Sequence, residues 1–401
     1  MSSDIPRSNV TGLTGQSPPI DWSSPVRIEP TFLKDKTIVI TGGASGLGAG
    51  FARKWASHGA HIIVGDISVA HGEQLVAELR RETNNSHHHF IHLDVTSWPS
   101  QVAFFREAAQ VSPHGGIDTV VANAGINHPE QERHFCEPNI DYRNTPSPPP
   151  PKFATIDVNL TGVLYTTHLG MWYLKHNPGS KPASAAAPPG DRDRHLLLLS
   201  SVAGICPIVS QCHYAASKHA VVGLFRTLRC ESVLTAGVRV NMICPYYTDT
   251  SIVPPGGRLL LAGGGMGVVD DVVQAASLFV SRPDVIGRAV VVGPKMRVSV
   301  PVDQDGIASL AGVDGIPQIQ NAYEVVQPEQ KRKVQEGLDG VIQERAIWEI
   351  YAHDLENTDV FNQRLISLLN AVSVARGWYG FGRDILAVVS PGLSRRFFGK
   401  R

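Results

Sequence analysis

The chain has 401 residues, 42% of them hydrophobic and 18% charged, which suits a globular protein of one large or two small domains with a substantial core. Thirty-six basic residues balance thirty-six acidic ones, so there is no electrostatic footprint for nucleic acid or an anionic membrane. The five cysteines are odd in number and form no Cys-x-x-Cys pair, so neither a zinc site nor a disulfide framework is expected, and a reducing, cytoplasmic setting fits best.

Residues 1–32 are polar, rich in Ser and Pro, and carry no apolar core segment, which argues against a secretory or mitochondrial leader. From 33 to 301 strands and helices alternate. Thr37-Ile38-Val39-Ile40 reads as the first strand, and Gly48 to His58 as a helix with Phe51, Ala52 and Trp55 sharing a face. His61-Ile62-Ile63-Val64 is the second strand and Ala70 to Arg80 the second helix. Ile91 to Leu93, Thr119 to Val121, Leu196 to Leu199, Val238 to Asn241 and Ala289 to Val292 follow as strands three to seven. Near-continuous apolar strands separated by helices predict an α/β fold, with a seven-stranded parallel sheet covered on both faces.

Two insertions interrupt the alternation. Residues 127–151 end in Thr145-Pro146-Ser147-Pro148-Pro149-Pro150-Pro151, a polyproline-like loop, and residues 177–194 are Pro-, Ala- and Gly-rich. Residues 302–401 read as a helical extension. Its helices are expected over Glu329 to Ala352 and Asp359 to Arg376, the latter with Phe361, Leu365, Leu368, Leu369 and Val372 at helical spacing. Apolar runs such as Leu259 to Val269 are broken by glycines and fall short of a membrane span.

The chemistry begins at Thr41-Gly42-Gly43-Ala44-Ser45-Gly46-Leu47-Gly48, between a strand and a helix. Glycines there permit a tight turn and let the backbone approach a pyrophosphate seated on the helix N-terminus. Asp66 closes the second strand, where a carboxylate accepts hydrogen bonds from ribose hydroxyls and repels a 2′-phosphate; Ile67 and Ser68 supply no cation for that phosphate. The expected cofactor is therefore NAD rather than NADP. In Tyr214-Ala215-Ala216-Ser217-Lys218 the Tyr and Lys lie one helical turn apart, so an ammonium can favour the phenolate as an acid/base near neutral pH requires. Ser201 sits thirteen residues upstream of Tyr214, after the fifth strand, placed to hydrogen-bond a substrate oxygen.

Taken together, the glycine loop, Asp94, Asn123-Ala124-Gly125, Asn159, Ser201, Tyr214 and Lys218 occur in an order and spacing that resembles the short-chain dehydrogenase/reductase family, from about Leu33 to Val300. The resemblance implies a Rossmann-type, doubly wound sheet and hydride transfer between a nicotinamide dinucleotide and a secondary alcohol or ketone. It implies that Gly42, Ser45, Gly46, Leu47, Gly48 and Asp66 bind the cofactor, Asp94 with Val95 the adenine, and Thr248 and Thr250 the carboxamide, with Asn123 bordering the site. Tyr214 would be the acid/base, Lys218 its ribose-holding partner, Ser201 the substrate hydrogen-bonder, and Asn159 the holder of a relay water. The stretches Gly237 to Pro245 and Tyr214 to Gly223 are similar to hydroxyprostaglandin dehydrogenase-like members, in which the counterpart of Gln211 touches substrate. Tyr246 departs from the family's glycine after Pro245, and either swings outward or narrows the substrate pocket. Many members pair through the helices carrying Asn159 and Tyr214, so a homo-oligomer is implied.

Two rival readings are an NADP-dependent reductase and a non-catalytic dinucleotide-binding sensor or scaffold; the intact Tyr-Lys-Ser set argues against the second. His87-His88-His89 reads as a solvated loop rather than a metal site. The ending Arg395-Arg396-Phe397-Phe398-Gly399-Lys400-Arg401 reads as part of a packed tail rather than a membrane-surface element. Gly256 to Gly267 falls where the family keeps a substrate-binding loop.

Overall fold

A computed structural model describes residues 15–21, 28–184, 192–250, 265–300, 341–352 and 354, with Leu368, Ala371 and Ala375 as single helical positions of the helix expected over Asp359 to Arg376. Residues 251–264 of the glycine-rich segment, 329–340 of the other expected helix and the basic ending lie outside the described residues.

Apolar, β-branched runs form β1 (Thr37–Thr41), β2 (His61–Asp66), β3 (His89–His92), β4 (Thr119–Ala122), β5 (His195–Leu199), β6 (Arg239–Pro245) and β7 (Ala289–Val300). Between them run α1 (Gly46–Ala56), α2 (Val69–Thr83), α3 (Trp98–Val111), α4 (Pro129–Cys136), α5 (Val163–Lys175), α6 (Cys212–Ala236) and α7 (Val269–Ser281). The sheet order is β3-β2-β1-β4-β5-β6-β7-β8, parallel through β7. This is the doubly wound α/β sheet expected, with one strand more. Phe51 and Trp55 of α1, Leu75 of α2 and Phe279 of α7 fill one face, and Trp55 donates to Ser277 Oγ at 2.9 Å to tie α1 to α7. Phe104 of α3, Leu174 of α5 and Phe225 of α6 fill the other.

The additional strand corrects the sequence reading. Val341–Ile350 forms β8, antiparallel to β7, where a helix was expected. Glu344, Arg345 and Ala346 are good helix formers, but the free edge of β7 offers unpaired N–H and C=O groups, and pairing with them overrides local propensity. The ladder shifts register between Val292 and Met296, across Pro294, which has no N–H to donate. Charge fastens the strand: the buried Arg288 pairs with Glu349, while Arg226 and Arg229 both bind Asp354 just beyond it. The segment around Ser17 joins the same edge, with Ser17 N donating to Ile286 O at 3.1 Å and Ile20 N to Glu349 Oε2 at 2.8 Å.

Insertion 127–151 opens with α4 before its proline run, which has no regular structure. His88 is buried between Ile62 N and Thr83, and burial lowers its pKa to about 4, so it is a neutral core histidine rather than part of a solvated loop. Among the described residues no helix is long and apolar enough to cross a membrane.

Candidate active site

A cavity of about 680 Å³ runs along the C-terminal ends of β1, β2, β4, β5 and β6, spanning the point where strand order reverses between β1 and β4. Such a crevice is where open α/β sheets take their ligands. Of the residues singled out from sequence, Gly42, Ser45, Gly46, Leu47, Asp66, Asp94, Val95, Asn123, Ser201, Gln211, Tyr214, Lys218, Tyr246, Thr248 and Thr250 line it. Gly48 and Asn159 do not.

One end is built from the glycine loop and the strand ends around it. Gly42 has φ +61°, and a Cβ on it would lie 2.7 Å from Ala124 Cα, so only glycine closes the turn after β1. Gly48 works from behind: its Cβ would meet Gly42 O at 2.4 Å, so its role is close packing of α1 on the loop. The N-cap residue Ser45 makes no side-chain capping bond, and Ser45, Gly46 and Leu47 present the uncapped helix start, which favours an anion, to the cavity. Asp66 Oδ2 accepts from Ala44 N at 3.0 Å and Oδ1 from Ser68 N at 2.9 Å, which holds the carboxylate at the wall beside exposed Ile67. Asp94 Oδ1 takes Thr96 N and Oγ1 at 2.9 and 2.7 Å, which fixes the turn after β3. Asn123 Nδ2 donates to Thr41 O and Gly42 O, both at 2.9 Å, tying β4 to the glycine loop.

The other end gathers the reactive side chains. Ser201 caps a 3-10 turn after β5, its Oγ accepting from Ala203 N at 3.2 Å. Tyr214 lies in the first turn of α6, and Lys218, one turn on, is buried with Nζ donating to Leu199 O at 3.1 Å and lying 5.7 Å from the Tyr214 ring centre. Asn159 sits in a π-type turn, Asp157–Gly162, ahead of α5; such turns recur at functional sites because they break the regular ladder. Its amide accepts from Ile126 N and donates to Ile126 O at 2.8 Å each, and donates to Ser217 Oγ at 3.4 Å. A Cβ on Gly125 would lie 3.4 Å from Asn159 Oδ1 and 3.5 Å from Lys218 Nζ, so both converge behind that glycine.

The electrostatics differ from the expectation that lysine lowers the tyrosine pKa. Burial raises the Tyr214 hydroxyl above its ordinary value, and hydrogen bonding with Ser201 opposes this. Burial also pushes Lys218 down to about 8. At the phenol, desolvation outweighs the opposing hydrogen bond with Ser201.

Sequence reasoning missed Glu132. This buried carboxylate, in the α4 insertion, accepts from His213 N through Oε2 and from Tyr214 N through Oε1, both at 2.8 Å. It supplies the start of α6 with the anionic cap that the dipole favours. Only its position in an insertion and its charge were visible in the chain, and neither signals a contact eighty residues away. Tyr246 and Tyr247 both line the cavity, their rings 5.0 Å apart.

The short chain dehydrogenase family model matches residues 36–256. A 5'-hydroxyaverantin dehydrogenase of Dothistroma septosporum is 33% identical over 290 residues, covering 69% of this chain and 90% of that one. An NADP-dependent dehydrogenase of Cochliobolus lunatus is 31% identical over 54% of this chain and 72% of its own. The Homo sapiens 15-hydroxyprostaglandin dehydrogenase, named for NAD(+), is 29% identical over 54% of this chain and 70% of its own. In fold, the chain matches a crystal structure of 3-ketoacyl-(acyl-carrier-protein) reductase from Brucella melitensis complexed with NADH, at TM-score 0.51 and 23% identity, over 65% of this chain and 97% of that one.

Proposed function

This chain belongs to the short-chain dehydrogenase family, whose members are NAD(P)-dependent oxidoreductases, and we propose that it transfers a hydride between NAD(H) and a secondary alcohol or ketone. The observation that carries the reading is the single cavity that holds Asp66 at the end of β2 and Ser201, Tyr214 and Lys218 around β5 and α6. NAD⁺, when bound, supplies the hydride acceptor. Gly42, Ser45, Gly46 and Leu47 would seat its diphosphate, Asp66 its adenosine ribose, Asp94 and Val95 its adenine, and Thr248 and Thr250 its carboxamide. Ser201 and Tyr214 hold the substrate oxygen between them; Tyr214 takes the hydroxyl proton in oxidation and returns it in reduction. Lys218 passes that proton on, and Asn159, converging with it behind Gly125, orders the route to water. Ile126, Val202, Ile208, Tyr246 and Tyr247 give the substrate end an apolar, aromatic lining, suited to a bulky apolar alcohol or ketone. Exposed Leu164 and Trp172 on α5 support a second copy packing there.

The preference for NAD rests on Asp66. Among the described cavity-lining residues the one cation is Lys218, on the catalytic side, so nothing beside Asp66 neutralises a 2′-phosphate. Equilibrium titration should give tighter binding of NAD⁺ than of NADP⁺ by at least about tenfold, and Asp66→Ala with Ile67→Arg should reverse the order. A wild-type preference for NADP⁺ contradicts the assignment.

A further inference from the structure

Three of the five cysteines are exposed, and two of these meet: Cys136, the last residue of α4, and Cys212, the first of α6, have sulfurs 3.4 Å apart. They lie 76 positions apart in sequence, so the fold rather than the local chain brings them together. We propose that Cys136 and Cys212 are a reversible disulfide site that clamps the insertion helix α4 to the first turn of the catalytic helix α6 and slows turnover when oxidised.

A covalent S–S bond is about 2.05 Å long, so closure must bring the sulfurs together by more than an ångström. The elements they end are already coupled, because Glu132 of α4 holds the N–H groups of His213 and Tyr214. The His213 ring is also packed edge-on by Phe135 at 4.6 Å and Phe153 at 5.1 Å. Motion of Cys212 is therefore motion of the turn that carries Tyr214. A displacement of about 1 Å at a reacting group can cost about a hundredfold in rate; with part of the closure taken up by side-chain rotation, about tenfold is expected.

The oxidant is a low-molecular-weight disulfide such as glutathione disulfide. One cysteine thiolate attacks a glutathione sulfur and expels a glutathione thiolate. The second then attacks the protein sulfur of the mixed disulfide and expels the other. Two protein thiols and one glutathione disulfide become one protein disulfide and two glutathione thiols, and the protein loses two hydrogens. The hydrogen bond to Cys212, with the carboxylates of Glu132 and Glu137, holds the Cys136 thiol above its ordinary value, so the reaction is best run near pH ~8.5.

The full-length protein is treated with glutathione disulfide, alkylated and mapped by mass spectrometry. The expected result is a peptide pair joined through Cys136 and Cys212, about two mass units below the dithiol. Slower amide exchange at the start of α6 and turnover of a secondary alcohol about tenfold lower should accompany it, all restored by a dithiol reductant. Cys136→Ser should turn over as the wild type does and, with no second thiol to resolve a mixed disulfide at Cys212, yield no joined peptide pair on treatment with glutathione disulfide. Persistent glutathione adducts on the two cysteines without a bond between them, or a bond that leaves both exchange and turnover unchanged, overturn the proposal. The turnover readout rests on the function proposed above. If the reduced chain acts on no alcohol, that reading fails, while the mass and exchange readouts still decide this one.

Discussion

Lys218 is held in the crevice at a cost in stability. Its folded-state pKa of about 8 lies below its ordinary value of 10.5, so between those values the unfolded chain binds more protons than the folded one. Stability therefore rises with pH through that window and is lowest, and level, below about pH 8. Replacing Lys218 by Met removes the penalty but also the bond to Leu199 O, worth about 1 kcal/mol. The variant is expected to be inactive yet more stable by about 2 kcal/mol at pH ~7, with the gain vanishing near pH ~10.5. Denaturant unfolding at the two pH values checks this; a destabilised variant at neutral pH would show that the amine is not held under strain. Asp66, Ser201, Tyr214 and Lys218 were legible in the chain because each sits at a fixed distance from a strand end or one turn along a helix. The balance of pKa effects was not, because desolvation depends on what surrounds a residue in three dimensions.

At the scale of elements, α6 presents Tyr214, and α4 holds the start of α6. The carboxylate of Glu132 faces two backbone N–H groups at 2.8 Å; in Glu132→Gln one oxygen becomes an NH₂ group facing a donor, and the charge that opposes the helix dipole is lost. We expect a loss of about 1–2 kcal/mol in stability and a fall in kcat, with the Kd for NAD⁺ unchanged because the glycine loop is remote. Steady-state kinetics with NAD⁺ titration separates this from general damage: a matching loss of NAD⁺ affinity would remove Glu132 as a positioning residue. The strands β1 to β7 were readable because buried parallel strands are continuous apolar runs. In β8, Glu344, Arg345 and Glu349 interrupt the apolar residues, and its strand character comes from pairing with the free edge of β7.

Over the whole molecule, the glycine loop and the side chains around β5 and α6 share one crevice, while the segment around Ser17 and the strand β8 close the far edge of the sheet. Glu349→Ala leaves the guanidinium of Arg288, 1% exposed, without its anionic partner, which should cost about 3 kcal/mol. A thermal melt should register a clear fall in Tm, and NAD⁺ binding should persist below it. An unchanged Tm would mean that β8 adds little to the fold. The central claim is that this crevice moves a hydride between NAD⁺ and a secondary alcohol with Tyr214 as the acid/base. The direct measurement is reduced-nicotinamide formation across a panel of secondary alcohols, with wild type and Tyr214→Phe side by side and NAD⁺ affinity measured for both. The account predicts turnover of at least one bulky alcohol by the wild type, at least about a hundredfold less by the variant, and equal NAD⁺ affinity. A variant that keeps more than about a tenth of wild-type turnover would contradict it.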